Sequence, residues 1–448
     1  MRASGHFALM QRHRVRLYLT VALGVALLGT LAAAASDSDA ARVARVLAQT
    51  PLIDGHNDLP WEIRERFGGD LTKFDFRAST LTLPVPSGSV ALMTDLPRLR
   101  AGQVGAQFWS VFVDPKVQGP EVVQETLEQI DLVKALCARY PEALGMAYGA
   151  RDIERLHREH RIACLIGVEG GHQINDSLAV LRAYYDAGAR YMTLTHAANT
   201  AWADSATDAP AHQGLTPFGV QVVREMNRLG MLVDLSHVAE TTMRAALIAS
   251  RAPVIFSHSS ARALDDHPRD VSDEVLKLVA ANGGVVMVNF LPDYISDARR
   301  RWTAELAAEQ ARLSSPPFGG LYIGQPERIA AALAQWQQAN PPPPVSLREV
   351  ADHIEHIRDV AGVEHVGLGS DFDGIPETPQ GLEGVDKFPA LLQELARRGW
   401  SDADLSGVAG ANVLRVLSAA ETVSTRLRAA EPASQARRAA TDSAAATH

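Results

Sequence analysis

Eight short apolar runs, most of them separated by helical patterns, predict a single (β/α)8 barrel. Three observations carry this. The runs are apolar at nearly every position, as strands buried on both faces are. The intervals hold amphipathic helices, so the strands pair in parallel through crossovers. Neither GxGxxG nor GxxxxGK[ST] follows any run, which removes the usual support for the alternative, an open doubly wound sheet. A chain of 448 residues, 46% hydrophobic, fits one such barrel and does not force a second domain.

The elements follow in order. Residues 1–36 stand apart: Arg12, Arg14 and Arg16 precede an apolar stretch at 17–31 and alanines at 32–35. That is the order of a secretory signal cut near Ala34 or Ala35, with an uncleaved anchor as the alternative. The barrel domain is expected from 37 to 420. Its first strand, PLIDGHND (51–58), ends on His56 and Asp58, which are two apart and so point the same way. Asp54-Gly55 just before them reads as turn chemistry. The second, VGAQFWSVFV (104–113), leads into a helix over 121–139. The third, CLIGVEGG (164–171), ends on Glu169, a carboxylate costly to bury unless it is paired or bound to metal. A helix over 177–187 precedes the fourth, YMTLTH, which closes on His196. Helices over 217–229 and 239–250 frame the fifth, MLVDLSH, ending on His237. The sixth, APVIFSHS, carries His258, and a helix over 272–281 leads to the seventh, GGVVMVNF.

After the seventh strand an insert at about 297–345 breaks the rhythm with an arginine-rich helix, a Pro/Gly break, an alanine-rich helix and four prolines. It reads as a lid or interface element, or as a surface excursion. The eighth strand, HVGLGSDFDG (365–374), ends on Asp371, with Asp373 as a cap of the following turn. The tail 421–448 has little to bury and is expected to be disordered beyond its first helical turns.

Strand ends gather on one rim of a parallel barrel. There His56, Asp58, Glu169, His237 and His258 make three histidines and two carboxylates, a set suited to zinc or a similar divalent ion. Five ligands exceed what one open tetrahedral site uses, and fit two metals bridged by a carboxylate and a hydroxide. Glu169 is the natural bridge, with His56 and Asp58 on one metal and His237 and His258 on the other. Asp371 is positioned to move a proton between water and leaving group, and His196 to donate to an oxyanion. His172 and His212, also near the rim, are set aside. No lysine ends a strand, which argues against a carboxylated-lysine bridge.

Beyond residues 1–36 the balance is 39 basic against 52 acidic residues, net −13, which disfavours nucleic acid and anionic membranes as partners. Cys137 and Cys164 are expected as two buried thiols, although an exported chain permits a bridge between them.

The chain resembles the membrane (renal-type) dipeptidases, peptidase family M19 of the amidohydrolase-like group. The similar segments are IDGHNDLPW, LRAGQVGAQFWSVFV, LIGVEGGH, RYMTLTHAANTAWAD, GLTPFG, NRLGMLVDLSHV, RAPVIFSHSSAR, VMVNF and VGLGSDFDG, in order over about residues 45–420. The resemblance implies zinc-dependent hydrolysis of dipeptides, with two Zn2+ per subunit on the five ligands above, a bridging hydroxide, and a D-residue tolerated at the C-terminal position. It marks Asp371 as the catalytic acid/base, and His196 and Arg269 as substrate-binding. Arg269 rests on the resemblance alone: by sequence it is a solvated arginine before a helix, and the family makes it a clamp for the substrate's terminal carboxylate. Another amidohydrolase reaction, on a lactam, an N-acyl-amino acid or a phosphoester, is the alternative.

Two departures from the animal members stand out, the longer insert and the missing C-terminal lipid-anchor signal. The expected protein is exported, periplasmic or secreted, and without a stable membrane anchor once the signal is cut; a homodimer is among its expected states. Arginine outnumbers lysine 38 to 5, which points to a bacterial, GC-rich source.

Overall fold

The computed structural model describes residues 38–86, 89–317 and 319–445. The expected signal, 1–36, lies outside them. Nine parallel strands are present among the described residues: β1 (Leu52–Asn57), β2 (Val104–Phe112), β3 (Leu144–Met146), β4 (Ile162–Glu169), β5 (Ala189–Thr193), β6 (Leu232–Asp234), β7 (Ile255–Phe256), β8 (Val285–Val288) and β9 (Val366–Leu368). Eight coincide with the expected runs. β1 pairs with both β2 and β9, and β2 pairs directly with β4 from Ala106–Ala163 to Phe112–Glu169. Eight strands therefore close into a (β/α)8 barrel. The addition, β3, pairs with the start of β4 at Ile162–Cys164, ahead of the point where β5 joins at Ile166. Three residues are too few to show a period in sequence.

The inward and outward alternation of β4 sets up the site. Ala163 and Leu165 share a cluster with Ile53, Phe108, Tyr191, Leu232, Ile255 and Met287, drawn from strands all around the barrel. Cys164, Ile166 and Val168 belong to the cluster beneath the outer helices. Continuing the period of two, Gly167 and Glu169 face inward. Gly167 is required there, because a Cβ would stand 2.0 Å from Cζ of Tyr191. Glu169 then arrives inside the rim.

The expected helices are observed within about a residue, at Pro120–Arg139, Leu178–Ala187, Pro217–Leu229, Glu240–Ala249 and Asp273–Asn282. Local chemistry fixes their ends. Ser177 accepts from Val180 N, Thr216 accepts from Gly219 N ahead of Pro217, and Gly230 closes its helix in the left-handed region at φ 85°.

Two expectations need correction. Cys137 and Cys164 form a disulfide, with Cα atoms 6.8 Å apart. The outward face of β4 presents Cys164 to the buried face of the helix Pro120–Arg139, and spacing along the chain carries no trace of that meeting. The tail is not devoid of structure: one helix runs Asn412–Ala430 and another Arg438–Ala445. Leu427 and Ser424 are buried, Ser424 Oγ donates to Arg228 O, and Arg438 pairs with Asp176 at 2.6 Å. Asp442 accepts from Phe218 N, capping the helix Pro217–Leu229 from a distant part of the chain. Polar tail residues find partners on the barrel helices that a composition argument does not see.

The insert forms two helices, Asp297–Ser314 and Pro326–Ala339; Leu313 alone is buried in the first and no residue in the second. They meet at Trp302 and Trp336, 6.0 Å apart. The root of this hairpin is tied down by Arg300 to Asp265 (2.7 Å), Thr303 to Asp293 (2.9 Å) and Arg299 to Glu377.

Candidate metal centre

The barrel delivers all eight expected site residues to one rim: six line a cavity of about 480 Å³, and His56 and His258 stand just behind it against Glu169. His56 comes from the end of β1 with Asp58 just beyond, and Glu169 from the end of β4. His196, His237, His258 and Asp371 follow β5, β6, β7 and β9. Arg269 lies in the loop after β7. Trp61, Phe112, Leu291, Tyr294, Ile375 and Pro376 supply apolar and aromatic walls.

Glu169 Oε1 is the hub. It lies 2.9 Å from Nε2 of His237, 3.5 Å from those of His56 and His258, and 3.8 Å from that of His196. Its other oxygen accepts from Ser110 Oγ at 3.2 Å. His56 Nε2 is 3.2 Å from Asp58 Oδ2 and 4.0 Å from Asp371 Oδ1. Gly374 makes room for this meeting of acids, since a Cβ there would come within 2.1 Å of Asp58 Oδ2 and 2.8 Å of Asp371 Oδ1. Asp371 itself holds φ 64°, and Asn289 Nδ2 donates to its Oδ2 at 2.9 Å.

Charge in this space is tightly coupled. Burial acts to raise the Glu169 carboxyl, but the neighbouring imidazoles of His56, His196 and His237 outweigh it and hold it well below its usual range. For His56, burial is outweighed by Tyr191, Glu169 and Asp58, which favour a cation there. Burial, with Arg269 and a neighbouring imidazole behind it, keeps His237 and His258 neutral far below the usual histidine range. Burial, together with Asp58 and Glu169, pushes the Asp371 carboxyl up to about 7.

These residues fit a metal pair on their own geometry. His56 Nε2 is buried without a hydrogen-bond partner. Nε2 of His237 and Nε2 of His258 face each other at 2.9 Å, which sets two nitrogens able to ligate a metal side by side. Two ligand triads, His56–Asp58–Glu169 and Glu169–His237–His258, each bring their donor atoms within 4.8 Å of one another, and they share Glu169. A third grouping, His56–His258–Asp371, overlaps both. A larger groove of about 660 Å³ between the helices Leu59–Phe67 and Pro120–Arg139 carries no histidine, so chemistry rather than volume selects the rim.

Several contributors escaped the sequence reading. Tyr191 supports His56 at Nδ1 (2.8 Å), and Ser257 supports His258 at Nδ1 (2.8 Å). Asp54 is no turn residue: it is wholly buried in β1 and accepts from Ser370 N and Oγ at 2.8 and 2.7 Å, which anchors the turn that presents Asp371. Asp373 does not cap its turn either; it reaches across to accept from Met93 N at 2.6 Å. An acid within an apolar run was the available signal for Asp54, and a polar residue next to a ligand the signal for Ser257. His172 and His212 hydrogen-bond main-chain carbonyls, of Val113 and Thr200 respectively.

A closed parallel barrel that gathers histidines and carboxylates inside this rim is built as a metal-dependent hydrolase. More specifically, the chain belongs to the membrane dipeptidases, peptidase family M19, whose family model matches residues 40–431. It is 40% identical over 396 residues to dipeptidase 3 of Macaca fascicularis, covering 87% of this chain and 69% of that one. It is 41% identical over 378 residues to dipeptidase 3 of Rattus norvegicus (83% and 66%), so it spans about two thirds of the length of these mammalian relatives. With dipeptidase verJ of Clonostachys rogersoniana the identity is 39% over 403 residues, covering 88% of this chain and 90% of that one. Among solved structures, a probable dipeptidase from Pseudomonas aeruginosa shares the fold with TM-score 0.70 at 24% identity, over 86% of this chain and 99% of that one. A metallopeptidase from Rhodobacter sphaeroides, solved with a phosphinate mimic of the dipeptide L-Ala-D-Ala, shares it with TM-score 0.65 at 20% identity, over 83% and 99%. The chain is thus an enzyme of the metallo-dipeptidase class.

Proposed function

We propose that this chain hydrolyses dipeptides with two zinc ions, one held by His56 and Asp58, the other by His237 and His258, and both by Glu169. The observation that carries the reading is the convergence of four imidazole Nε2 atoms on the single oxygen Glu169 Oε1, within 3.8 Å. When bound, such a pair supplies Lewis acidity towards a carbonyl and a nucleophilic hydroxide near neutral pH.

The side chains do the rest. Asp371, with its carboxyl near neutrality, takes the proton of the attacking water and returns it to the departing amine. Asn289 holds one of its oxygens and leaves the other facing His56. His196, kept neutral chiefly by burial, offers a ring N–H to the oxyanion. Arg269 is buried, stacked 5.3 Å over the Tyr294 ring, with Nε lacking a partner; its guanidinium holds the substrate's terminal carboxylate and so limits substrate length. The reading extends to dipeptides with a D-residue at the C-terminal position, the kind of ligand mimicked in the Rhodobacter sphaeroides structure. Export as a periplasmic or secreted protein without a membrane anchor, and assembly as a homodimer, belong to the same proposal. Among the described residues no helix is long and apolar enough to cross a membrane. N-terminal sequencing of the exported protein and light scattering check these two points.

Metal analysis of the purified protein, with turnover of L–L and L–D dipeptides and of their C-terminal amides, tests the chemistry. Two zinc ions per chain, cleavage of both series and a sharply raised KM for the amides are expected. A single bound ion overturns the paired centre, and amides cleaved as well as free dipeptides overturn the Arg269 clamp.

A further inference from the structure

A buried relay stands behind His258. Asp234, the last residue of β6, is fully buried and receives four donors. Its Oδ1 accepts from Ser236 N (3.1 Å) and Ser257 N (2.9 Å), and its Oδ2 from Thr193 Oγ1 (2.7 Å) and Ser257 Oγ (2.5 Å). A carboxylate has only acceptor sites, so the single hydroxyl proton of Ser257 is committed to Asp234. Ser257 Oγ can then meet His258 Nδ1, 2.8 Å away, only as an acceptor. The ring is thereby fixed as the Nδ1–H tautomer, and the lone pair of Nε2 points at Glu169 and His237. His56 is supported by different means: the Tyr191 hydroxyl contacts its Nδ1 at 2.8 Å and donates to Gly55 O at 3.3 Å.

We propose that Asp234 and Ser257 are positioning residues of the metal centre, which set the tautomer of His258 and with it the affinity for the ion shared with His237. The geometry of the relay stands by itself; its consequence for affinity rests on the metal reading above. Partners of this kind behind a ligating histidine are worth roughly 10–100-fold in metal affinity. The polarity of the chain makes a sharper expectation. In Asp234→Asn the amide oxygen must stay where two main-chain N–H groups point, at the Oδ1 position. The NH2 then faces Ser257 Oγ as a donor, and the serine proton turns towards His258 Nδ1. That forces the proton onto Nε2, the ligand atom itself. Ser257→Ala merely removes the preference, leaving Asp234 three of its four donors.

The test uses the whole protein, wild type and both variants, with circular dichroism and thermal melts to confirm folding. Ring 15N shifts of metal-free protein, with His258 assigned by its loss in His258→Gln, report the tautomer. Zinc titration against a competing chelator reports affinity. Wild type should show Nδ1–H, Ser257→Ala a mixture and Asp234→Asn Nε2–H. One of two zinc ions should bind roughly 10–100-fold more weakly in Ser257→Ala and more weakly still in Asp234→Asn. Should Asp234→Asn fail to fold, Ser257→Ala decides. An unchanged His258 tautomer overturns the relay even where zinc is lost, since the loss then comes from packing. A changed tautomer with unchanged zinc affinity overturns its role at the metal. If wild type binds no zinc, the metal reading fails and the ring shifts still decide the relay.

Discussion

The barrel rim and the helical hairpin beside it are built on opposite principles. At the rim, His237, Asp371 and Asp373 hold φ of 69°, 64° and 65°, left-handed backbone that costs a non-glycine residue on the order of 1 kcal/mol each. Ionisable groups are buried there too, each held by neighbours: Glu169 by Ser110, His56 by Tyr191, His258 by Ser257, Asp371 by Asn289. The hairpin buries nothing along Pro326–Ala339 and sits in ordinary helical backbone. One region sacrifices stability to hold reactive groups in place, while the other is held by helix propensity and a few ties at its root. Substitutions should therefore act on chemistry at the rim and on little but local order in the hairpin.

The largest expected effect is at the hub. Glu169→Ala should abolish metal retention and reduce activity by well over 100-fold, since a ligand outweighs the roughly 10–100-fold that its supports are worth. A variant that keeps both ions and turns over dipeptides would erase the distinction between the rim and its surroundings. Asp371→Asn is next. It keeps the shape and the Asn289 contact but cannot carry a proton, so kcat should fall about 10²–10⁴-fold with metal content unchanged. Loss of metal together with activity would make Asp371 a ligand instead, as its grouping with His56 and His258 allows.

The joint between the two regions offers a pH test. His353, on the helix Leu347–Ala361, accepts from Ala261 N at 3.0 Å behind the rim and contacts Ile295 O at 3.0 Å at the hairpin's root. Burial lowers its pKa to about 4 against 6.5 in the unfolded chain. Above 6.5 neither state binds the proton and the packing is intact. As pH falls from 6.5 towards 4 the unfolded chain binds the proton first, so stability is lost, about 3 kcal/mol in all. Asp373 opposes this, because burial raises its carboxyl to about 7 and the folded state takes that proton first as pH falls. The His353 share is thus read as the difference between wild type and His353→Gln in urea unfolding at pH 7 and pH 4.5. The variant should be less stable at pH 7, but its stability should fall less on acidification. A parallel pH dependence in both proteins would rule the joint out.

Sequence reading succeeded where a physical rule acts locally. Val285–Val288 and its counterparts are apolar on both faces because both faces are buried, and His56, Glu169, His237 and His258 mark strand ends because that is where polarity resumes. It failed where the cause is distant in the chain. Cys137 meets Cys164 only after a crossover helix returns, and Asp442 caps Pro217–Leu229 across more than two hundred residues. Asp54 and Asp234 look like interruptions of their strands. Their partners, Ser370 and Ser257, come from just beyond the ends of other strands, so nothing nearby announces them. Arg269 follows the same logic. Its guanidinium is aligned by Ser259 and His258 and backed by Tyr294, contacts that exist only once the loop after β7 has folded over the rim.

The smallest effect belongs to the hairpin. Trp336 is half-buried against Trp302, whose indole N–H donates to Asn340 O at 2.8 Å, and this is the principal bond between the two helices. Trp336→Ala should cost about 1 kcal/mol, the worth of one aromatic pair at an open site. The barrel's own unfolding should barely register it, because the hairpin shares so little buried surface. With dipeptides, kcat and KM should stay within about twofold of wild type, whereas local protection of 297–339 in hydrogen exchange should fall. The root makes the contrary outcome meaningful. Arg299 is paired with Asp293 and Glu377, next to Leu291, Tyr294 and Pro376 on the cavity wall. A tenfold rise in KM for Trp336→Ala would show that hairpin order reaches the substrate through that root, and the hairpin would then count as part of the site.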